Sequence, residues 1–242
     1  MPLFHKGDVA IYYEVHGSGF PLLLLPPGGM NATISFWGRS AFNPVEIFKS
    51  EYQVVALDQR NAGGSSGPVP ADDPWAAYAA DQLNLMDHLG IEKFHTMGCC
   101  IGCSYALSLC MRAPDRVQSA VLEQPVGIDE ANKQVLPNAW KPWAEQLLEK
   151  RKDVDMATLE KLGKKMWDGE FVISVPREFV KSCQTPLLVL PGIDLPHPTA
   201  IGREVAALAP RAESMEPWKE PSTLMPKTVA RIRSFLKAHT PA

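Results

Sequence analysis

The sequence lacks the long apolar run that a membrane-spanning helix needs, because no stretch approaches 18 apolar residues. Its N-terminal segment also lacks the basic-then-apolar pattern of a signal peptide. Positive charge is not in excess, with 24 Lys and Arg against 27 Asp and Glu and a formal net charge of -3. No broad basic surface for nucleic acid or an anionic membrane is therefore expected. We predict a cytoplasmic protein that binds neither nucleic acid nor membrane, and the composition leaves its oligomeric state unknown.

Cysteine is also scarce, with five residues in the chain, and four of these lie between positions 99 and 110. An odd, crowded set does not suit the disulfide framework of a secreted domain. A zinc site would need a second pair of Cys or His ligands some way along the chain, and no such pair exists. We therefore expect free thiols, no metal and no cofactor.

Several short apolar runs predict strands that are buried on both faces. A run of four to five residues without a charge, bounded by Pro or Gly, is typical of a parallel sheet. Helical patterns separate these runs, and a length of 242 residues suits one core. The fold class is therefore α/β, with a doubly wound sheet flanked by helices. The runs are residues 21–25, 53–57, 120–122 and 186–190.

One region interrupts the alternation of strand and helix. Residues 127–182 are charge-rich and helical in pattern, with no convincing buried strand. A stretch of this length between sheet units is typical of an inserted lid. We predict a core formed by residues 1–126 and 183–242, with residues 127–182 as a small helical lid.

The segment MGCCIGC at residues 97–103 contains one cysteine in a distinctive frame. Gly98 and Gly102 flank Cys100 at two residues on either side, and neither Cys99 nor Cys103 can be centred in this way. At a sharp strand-to-helix turn, glycines at these positions let the strand and helix approach each other. The turn would place the Cys100 thiol at a helix N-terminus, where its pKa falls. A Cys-x-x-Cys redox pair and plain packing thiols are the alternatives, and packing is our interpretation for Cys99 and Cys103.

Across about residues 8–238, the chain resembles the α/β-hydrolase family. Most members use Ser at the nucleophile elbow, so Cys100 is a departure that dienelactone-hydrolase-like members share. The resemblance implies a mostly parallel eight-stranded sheet, Cys100 as nucleophile and Asp194 in the acid loop. The segments that carry it are LLLLPPGG at residues 22–29, DQRNAGGS at 58–65, HTMGCCIG at 95–102, LVLPGID at 188–194 and IRSFL at 232–236.

The family's catalytic histidine is missing from its usual place. It should lie about 17 residues before the Phe-Leu of the last helix, and Trp218 stands there. Indole cannot exchange a proton near neutral pH. His197, three residues after Asp194, is the imidazole that we expect at the carboxyl edge of the sheet. Either His197 replaces the lost base, oriented by Asp194 or another carboxylate, or an acidic Cys100 thiol reduces the need for a base.

Other residues complete the predicted site. The backbone N–H of Ile101, with that of Gly29 or Met30, would form the oxyanion hole. Trp218 and Trp143 would line an apolar substrate pocket. Asp58 and Arg60 are interpreted as an ion pair within their own loop.

These features predict a cysteine-dependent hydrolase that cleaves a small ester, lactone, thioester or related acyl substrate through an acyl-thioenzyme. Its expected partner is a small-molecule substrate. An acyltransferase or a Cys-dependent lyase on the same site is an alternative. A non-catalytic binding protein on a hydrolase scaffold is another, because fold alone does not fix function.

Overall fold

The apolar run at residues 22–25 shows why the centre of the chain folds as a buried sheet. Successive side chains in a strand point to opposite faces. Leu23 and Leu25 accordingly enter one hydrophobic cluster, whereas Leu22 and Leu24 enter another on the opposite face. All four are fully buried in the computed structural model, which describes residues 2–241.

Within these described residues, eight strands form one sheet with the order β1-β2-β4-β3-β5-β6-β7-β8. The pairs β1·β2 and β2·β4 are antiparallel, and every later pair is parallel. The predicted α/β fold class, with a mostly parallel eight-stranded sheet, is therefore confirmed. The strands are β1 (Leu3–Lys6), β2 (Val9–His16), β3 (Phe20–Leu25), β4 (Tyr52–Leu57), β5 (Phe94–Cys99), β6 (Val117–Glu123), β7 (Leu187–Leu190) and β8 (Ala212–Ser214).

Helices cover both faces of the sheet, as a doubly wound fold requires. The first, second and last helices begin with Pro in their first turn, where a missing N–H costs nothing. The helices are α1 (Pro44–Phe48), α2 (Pro74–His88), α3 (Ile101–Arg112), α4 (Lys141–Lys150), α5 (Met156–Trp167), α6 (Arg177–Ser182), α7 (Thr199–Leu208) and α8 (Met225–Ala238). Helices α2, α3 and α7 pack on one face and α1 and α8 on the other. No helix among residues 2–241 is long and apolar enough to cross a membrane.

The segment between β6 and β7 contains α4, α5 and α6 and no strand of the sheet in its described residues. Two of these helices pack closely, because a Cβ added at Gly163 of α5 would lie 2.3 Å from the Trp140 ring beside α4. Ser104 Oγ of α3 donates to the carbonyl oxygen of Val172 over 2.9 Å, which ties the segment to the core. The segment thus lies above the sheet as a helical insertion, and its role as a lid is taken up below.

Candidate active site

Cys100 occupies the turn between β5 and α3 in a strained conformation. Its φ of 58° and ψ of -122° lie outside the regions that a side chain normally allows. A Cβ at Gly98 would lie 2.2 Å from the Gly102 carbonyl oxygen, and a Cβ at Gly102 would lie 2.0 Å from that of Leu25. Both glycines are thus required by close backbone contacts. These contacts hold the Cys100 thiol above the sheet at the N-terminus of α3.

His197 and Asp194 lie together in the loop that follows β7. His197 Nδ1–H donates to Asp194 Oδ1 over 2.5 Å, and the His197 backbone N–H reaches the Asp194 carbonyl over 3.0 Å. The loop closes tightly, since a Cβ at Gly192 would lie 2.3 Å from His197 Cβ. The second ring nitrogen, Nε2, is buried and has no hydrogen-bond partner among the described residues, and the nearby Cys100 thiol raises the pKa of the ring.

The structure therefore brings Cys100, His197 and Asp194 into one contiguous group. Burial raises the pKa of the Cys100 thiol, but the nearby His197 imidazole and the backbone N–H groups of Ile101 and Gly28 outweigh it. The net effect lowers that pKa below the ordinary thiol value. Burial likewise lowers the pKa of His197, but the Cys100 thiolate and the Asp194 carboxylate raise it overall. The opposite shifts favour a thiolate beside an imidazolium.

The neighbouring thiols behave differently. Burial, together with the charge of Glu123, raises the pKa of Cys99 well above its ordinary value, and burial does the same for Cys103. The Cys103 thiol donates to the carbonyl oxygens of Gly98 and Glu123 over 3.2 and 3.1 Å. These two residues are packing thiols, which agrees with their interpretation from the sequence.

The loop after β3 approaches the Cys100 thiol through Gly28. The Gly28 N–H and the Ile101 N–H lie close enough to the sulfur to lower its pKa. Gly29 and Met30 were predicted as donors from this loop, and Gly28, whose φ is 126°, was not. Gly29 and Met30 follow in a short 3-10 helix (Gly29–Asn31), and their role as donors stays a prediction.

The two tryptophans predicted for the pocket lie on opposite sides of Cys100. Trp218 follows β8, is 2% exposed, and its Nε1–H donates to the Pro191 carbonyl oxygen over 2.7 Å. Trp143 of α4 donates from Nε1 to the Asn61 carbonyl oxygen over 3.1 Å. Both indoles have their N–H groups satisfied by backbone, and their contact with a substrate stays a prediction.

The predicted ion pair within the loop after β4 is wrong. Arg60 instead makes a bidentate, buried pair with Asp81 of α2, over 2.7 and 2.6 Å. Asp58 accepts backbone N–H groups from Ile34 and Gly64 over 2.8 and 2.9 Å. Both residues organise loops beside the site, Asp58 partly within its own loop through Gly64, but Ile34 and Asp81 are distant partners that spacing could not identify.

One titratable side chain near the site was not found from the sequence. Glu123 ends β6 and is fully buried, and both carboxylate oxygens have no hydrogen-bond partner within the described residues. Burial raises the pKa of Glu123 to about 8, and the charge of Lys219 opposes the rise. The only signal in the sequence was a charged residue at the end of an apolar run. This pattern does not show that the Glu123 side chain is buried.

No group of three or more His, Cys, Asp and Glu side chains arranged to hold a metal ion occurs within residues 2–241. A thiol of lowered pKa, an imidazole bonded to a carboxylate and two backbone N–H groups converge at the carboxyl edge of a parallel sheet. This constellation is suited to nucleophilic attack on a carbonyl carbon. Fold and site together define an α/β protein of the hydrolase type.

Comparison with known proteins identifies the family. The sequence pattern of the alpha/beta hydrolase fold family matches residues 21–163, more than half of the chain, and the chain belongs to this family. RutD of Azorhizobium caulinodans, which bears the provisional name of a carbamate hydrolase, is 33% identical over 125 residues, covering 50% of this chain and 43% of RutD. The fluoroacetate dehalogenase of a Burkholderia species is 41% identical over 126 residues, covering 50% of this chain and 40% of the relative. The match thus spans less than half of the length of either relative.

A solved structure agrees with the fold over the whole chain. An α/β hydrolase enzyme from a Medee basin deep-sea metagenome library superposes with a TM-score of 0.73 and 18% identity. The alignment covers 100% of this chain and 98% of that protein. At this identity the likeness concerns the fold alone.

Proposed function

We propose that this protein is a cysteine-dependent hydrolase that cleaves a small ester, lactone, thioester or related acyl substrate through an acyl-thioenzyme. The observation that carries the proposal is the strained turn at Cys100, with a φ of 58°, beside a histidine whose Nδ1–H donates to Asp194 over 2.5 Å and which lowers the pKa of the thiol. An activated nucleophile typically lies next to an imidazole whose tautomer and orientation are fixed by a carboxylate. The family membership and the hydrolase names among the relatives support it.

In the first half of the reaction, the Cys100 thiolate attacks the carbonyl carbon of the substrate. The oxygen becomes an oxyanion and accepts hydrogen bonds from the backbone N–H groups of Ile101 and the loop at Gly28. The His197 imidazolium then gives its proton to the leaving alcohol or thiol as the bond to it breaks. The products are the leaving group and an acyl thioester on Cys100.

In the second half, neutral His197 takes a proton from water, and the resulting hydroxide attacks the thioester. The tetrahedral intermediate expels the Cys100 thiolate and releases the acid, while His197 remains protonated. Asp194 keeps Nδ1 protonated throughout, so that Nε2 is the nitrogen that exchanges the proton. The starting thiolate–imidazolium pair is thereby restored.

We further propose that residues 127–182 act as a lid over this site. The indole of Trp167, in α5, lies over the loop after β3, since a Cβ at Gly29 would lie 4.0 Å from Trp167 Cζ2. Trp143 of α4 reaches the loop after β4. In this proposal, Trp143 contacts the substrate from above, and Trp218 closes the pocket from the opposite side.

The test is to trap the acyl-enzyme. With p-nitrophenyl acetate, we expect a burst of p-nitrophenol and an intact mass raised by one acetyl group, located on Cys100 by peptide mapping. Cys99→Ala is the matched control and should keep the burst, whereas Cys100→Ala should lose both burst and turnover. Transfer of the acetyl group to added alcohol in place of water would contradict the hydrolase assignment in favour of an acyltransferase. Absence of any acyl-enzyme and turnover would favour the binding protein.

A further inference from the structure

The residue that anchors the turn at Cys100 also carries a buried acid. The backbone carbonyl oxygen of Glu123, at the end of β6, accepts the Cys100 N–H over 3.0 Å and the Cys103 thiol over 3.1 Å. Ile101, whose N–H lies near the Cys100 sulfur, follows Cys100 directly. A displacement of Glu123 would therefore move the thiol and the first N–H group of α3 together.

The side chain of Glu123 lies on the same face of the sheet as Trp218. Side chains two residues apart on a strand point to one face, and Val121 of β6 belongs to the hydrophobic cluster that contains Trp218. The residues in register with Glu123 are Cys99 of β5 and Leu190 of β7, which belong to the same cluster. The carboxyl group therefore lies in apolar surroundings. The residue is 0% exposed, and neither oxygen has a hydrogen-bond partner among the described residues.

One cation opposes the effect of this burial. Burial raises the pKa of Glu123 to about 8, and the charge of Lys219, in the loop after β8, opposes the rise. Lys219 Nζ donates to Gln124 Oε1 over 2.6 Å, whereas the Glu123 oxygens have no donor within residues 2–241. An ionised carboxylate without a donor is costly in apolar surroundings. Glu123 is therefore held mainly as the neutral acid at pH 7.

Two thiols are the other titratable groups that face Glu123. Cys99 lies beside it on β5, and Cys103 lies on α3. Burial raises the pKa of both thiols, and the charge of Glu123 raises each of them further. The electric field of an ionised Glu123 therefore reaches the turn that contains Cys100. The helices α1 and α8 and the strand β7 contribute apolar side chains to the cluster, among them Phe48, Ile232 and Leu190.

We propose that Glu123 is a positioning residue for Cys100 that works as the neutral acid, and that its ionisation sets the alkaline limit of the reaction. The neutral acid leaves the turn at Cys100 fixed by the two bonds to the Glu123 carbonyl oxygen. The ionised carboxylate repels the Cys100 thiolate and the oxyanion that forms beside Ile101. It also draws the end of β6 toward water or Lys219, and the turn moves with it. The proposal rests on the proposed function, because the reaction that it limits takes place at Cys100.

The test is the pH profile of kcat/KM for p-nitrophenyl acetate, because Gln imitates the neutral acid and cannot ionise. Wild-type kcat/KM should fall above about pH 8, to about a tenth of its plateau at pH 9, since an acid is about one tenth protonated one unit above its pKa. Glu123→Gln should match the wild type at pH 6.5 and lack this fall. Glu92→Gln, at an exposed carboxyl before β5, is the matched control and should keep the wild-type profile.

A second substitution shows which group titrates. Lys219→Gln removes the charge that opposes the rise in the pKa of Glu123, so the alkaline limit should move to higher pH. In the Glu123→Gln background, the same substitution should leave the profile unchanged. An alkaline fall with the wild-type midpoint in Glu123→Gln would assign the limit to His197 or another group and overturn the proposal. Unfolding of the wild type at pH 9, followed by circular dichroism, would also overturn it.

Failure of the proposed function has a different result. If the ester is not cleaved at any pH, the proposed function fails, and alkylation of Cys100 by iodoacetamide decides the role of Glu123. The wild type and Glu123→Gln should then react equally at pH 6.5, and the variant should react faster at pH 9, because it has no carboxylate that repels the thiolate. Equal rates at both pH values would overturn the role of Glu123.

Discussion

Two loops at the same edge of the sheet, those after β7 (residues 191–198) and β8 (residues 215–221), differ from each other and from the pattern that the family resemblance implies. In that pattern the acid follows β7 and the histidine follows β8. Here the β7 loop carries both Asp194 and His197, bonded to each other. The β8 loop carries Trp218, which is 2% exposed and bonded to the backbone of Pro191 at the start of the β7 loop.

Position in space, rather than order along the chain, brings an imidazole and a carboxylate to the neighbourhood of Cys100. The β7 loop is partly exposed, with the Asp194 side chain 46% accessible. The β8 loop contributes packing and one hydrogen bond that supports its neighbour. Substitutions in the first loop should therefore change reactivity, and substitutions in the second should change stability.

The largest expected effect comes from His197→Ala in the β7 loop. Without the imidazole, burial dominates and the pKa of Cys100 rises, so less thiolate is present near pH 6. Alkylation of Cys100 by iodoacetamide at that pH should slow roughly tenfold for each unit by which the pKa rises. In the wild type the rate should level off at a pH below the ordinary thiol pKa, whereas in the variant it should still climb at higher pH.

Mass spectrometry of the labelled protein over a pH series measures this effect. Labelling must be confined to Cys100, with Cys100→Ala as the blank. A wild-type thiol that alkylates as slowly as free cysteine would refute the activated nucleophile.

A smaller effect is expected from Trp218→Phe in the β8 loop. The substitution keeps an aromatic ring but leaves the buried Pro191 carbonyl oxygen without its donor, which should lower the free energy of unfolding by about 1–3 kcal/mol. Chemical denaturation followed by fluorescence or circular dichroism measures it. The alkylation rate of Cys100 near pH 6 should stay at the wild-type value. If Trp218→Phe lost as much thiol reactivity as His197→Ala, reactivity would depend on both loops, and the assignment of reactivity to the β7 loop and stability to the β8 loop would be wrong.

The last effect depends on pH and concerns Glu123, on the strand between Cys100 and the β7 loop. Its folded-state pKa of about 8 lies above the ordinary value of 4.5. The unfolded chain therefore loses this proton at lower pH than the folded protein does, and Glu123 increasingly destabilises the fold as the pH rises from about 4.5 to about 8. Glu123→Gln should accordingly be more stable than the wild type by about 1–3 kcal/mol at pH 8 and by much less at pH 5. Unfolding curves at both pH values test this, and a stability difference independent of pH would contradict it.

Much of the fold could be predicted because its signals are local. The run at residues 21–25 coincides with β3, and the run at 186–190 contains β7. A strand that has apolar side chains on both faces gives an uninterrupted apolar run in the sequence, wherever the strand lies in the sheet. The edge strands β1 and β8 were not found as runs, because their exposed faces carry Lys6 and Glu213 and the strands are short.

The site could be predicted where the backbone geometry allows only one residue type. Gly98 and Gly102 mark Cys100, because only glycine fits the backbone contacts at 2.2 and 2.0 Å. The partner of Arg60 and the choice of Gly28 depend on how distant loops meet, which spacing does not encode.

The closure of the β7 loop has a consequence for how accurately the site can be assembled. When a nucleophile, a base and an acid lie on three loops, three separate pieces of backbone must be aligned. Here the proposed base and acid are three residues apart and fixed to each other by three hydrogen bonds and the tight turn at Gly192. Only the spacing between this loop and the turn at Cys100 remains to be set. Any motion that separates β7 from β5 would therefore move the proposed base and the proposed acid away from Cys100 together.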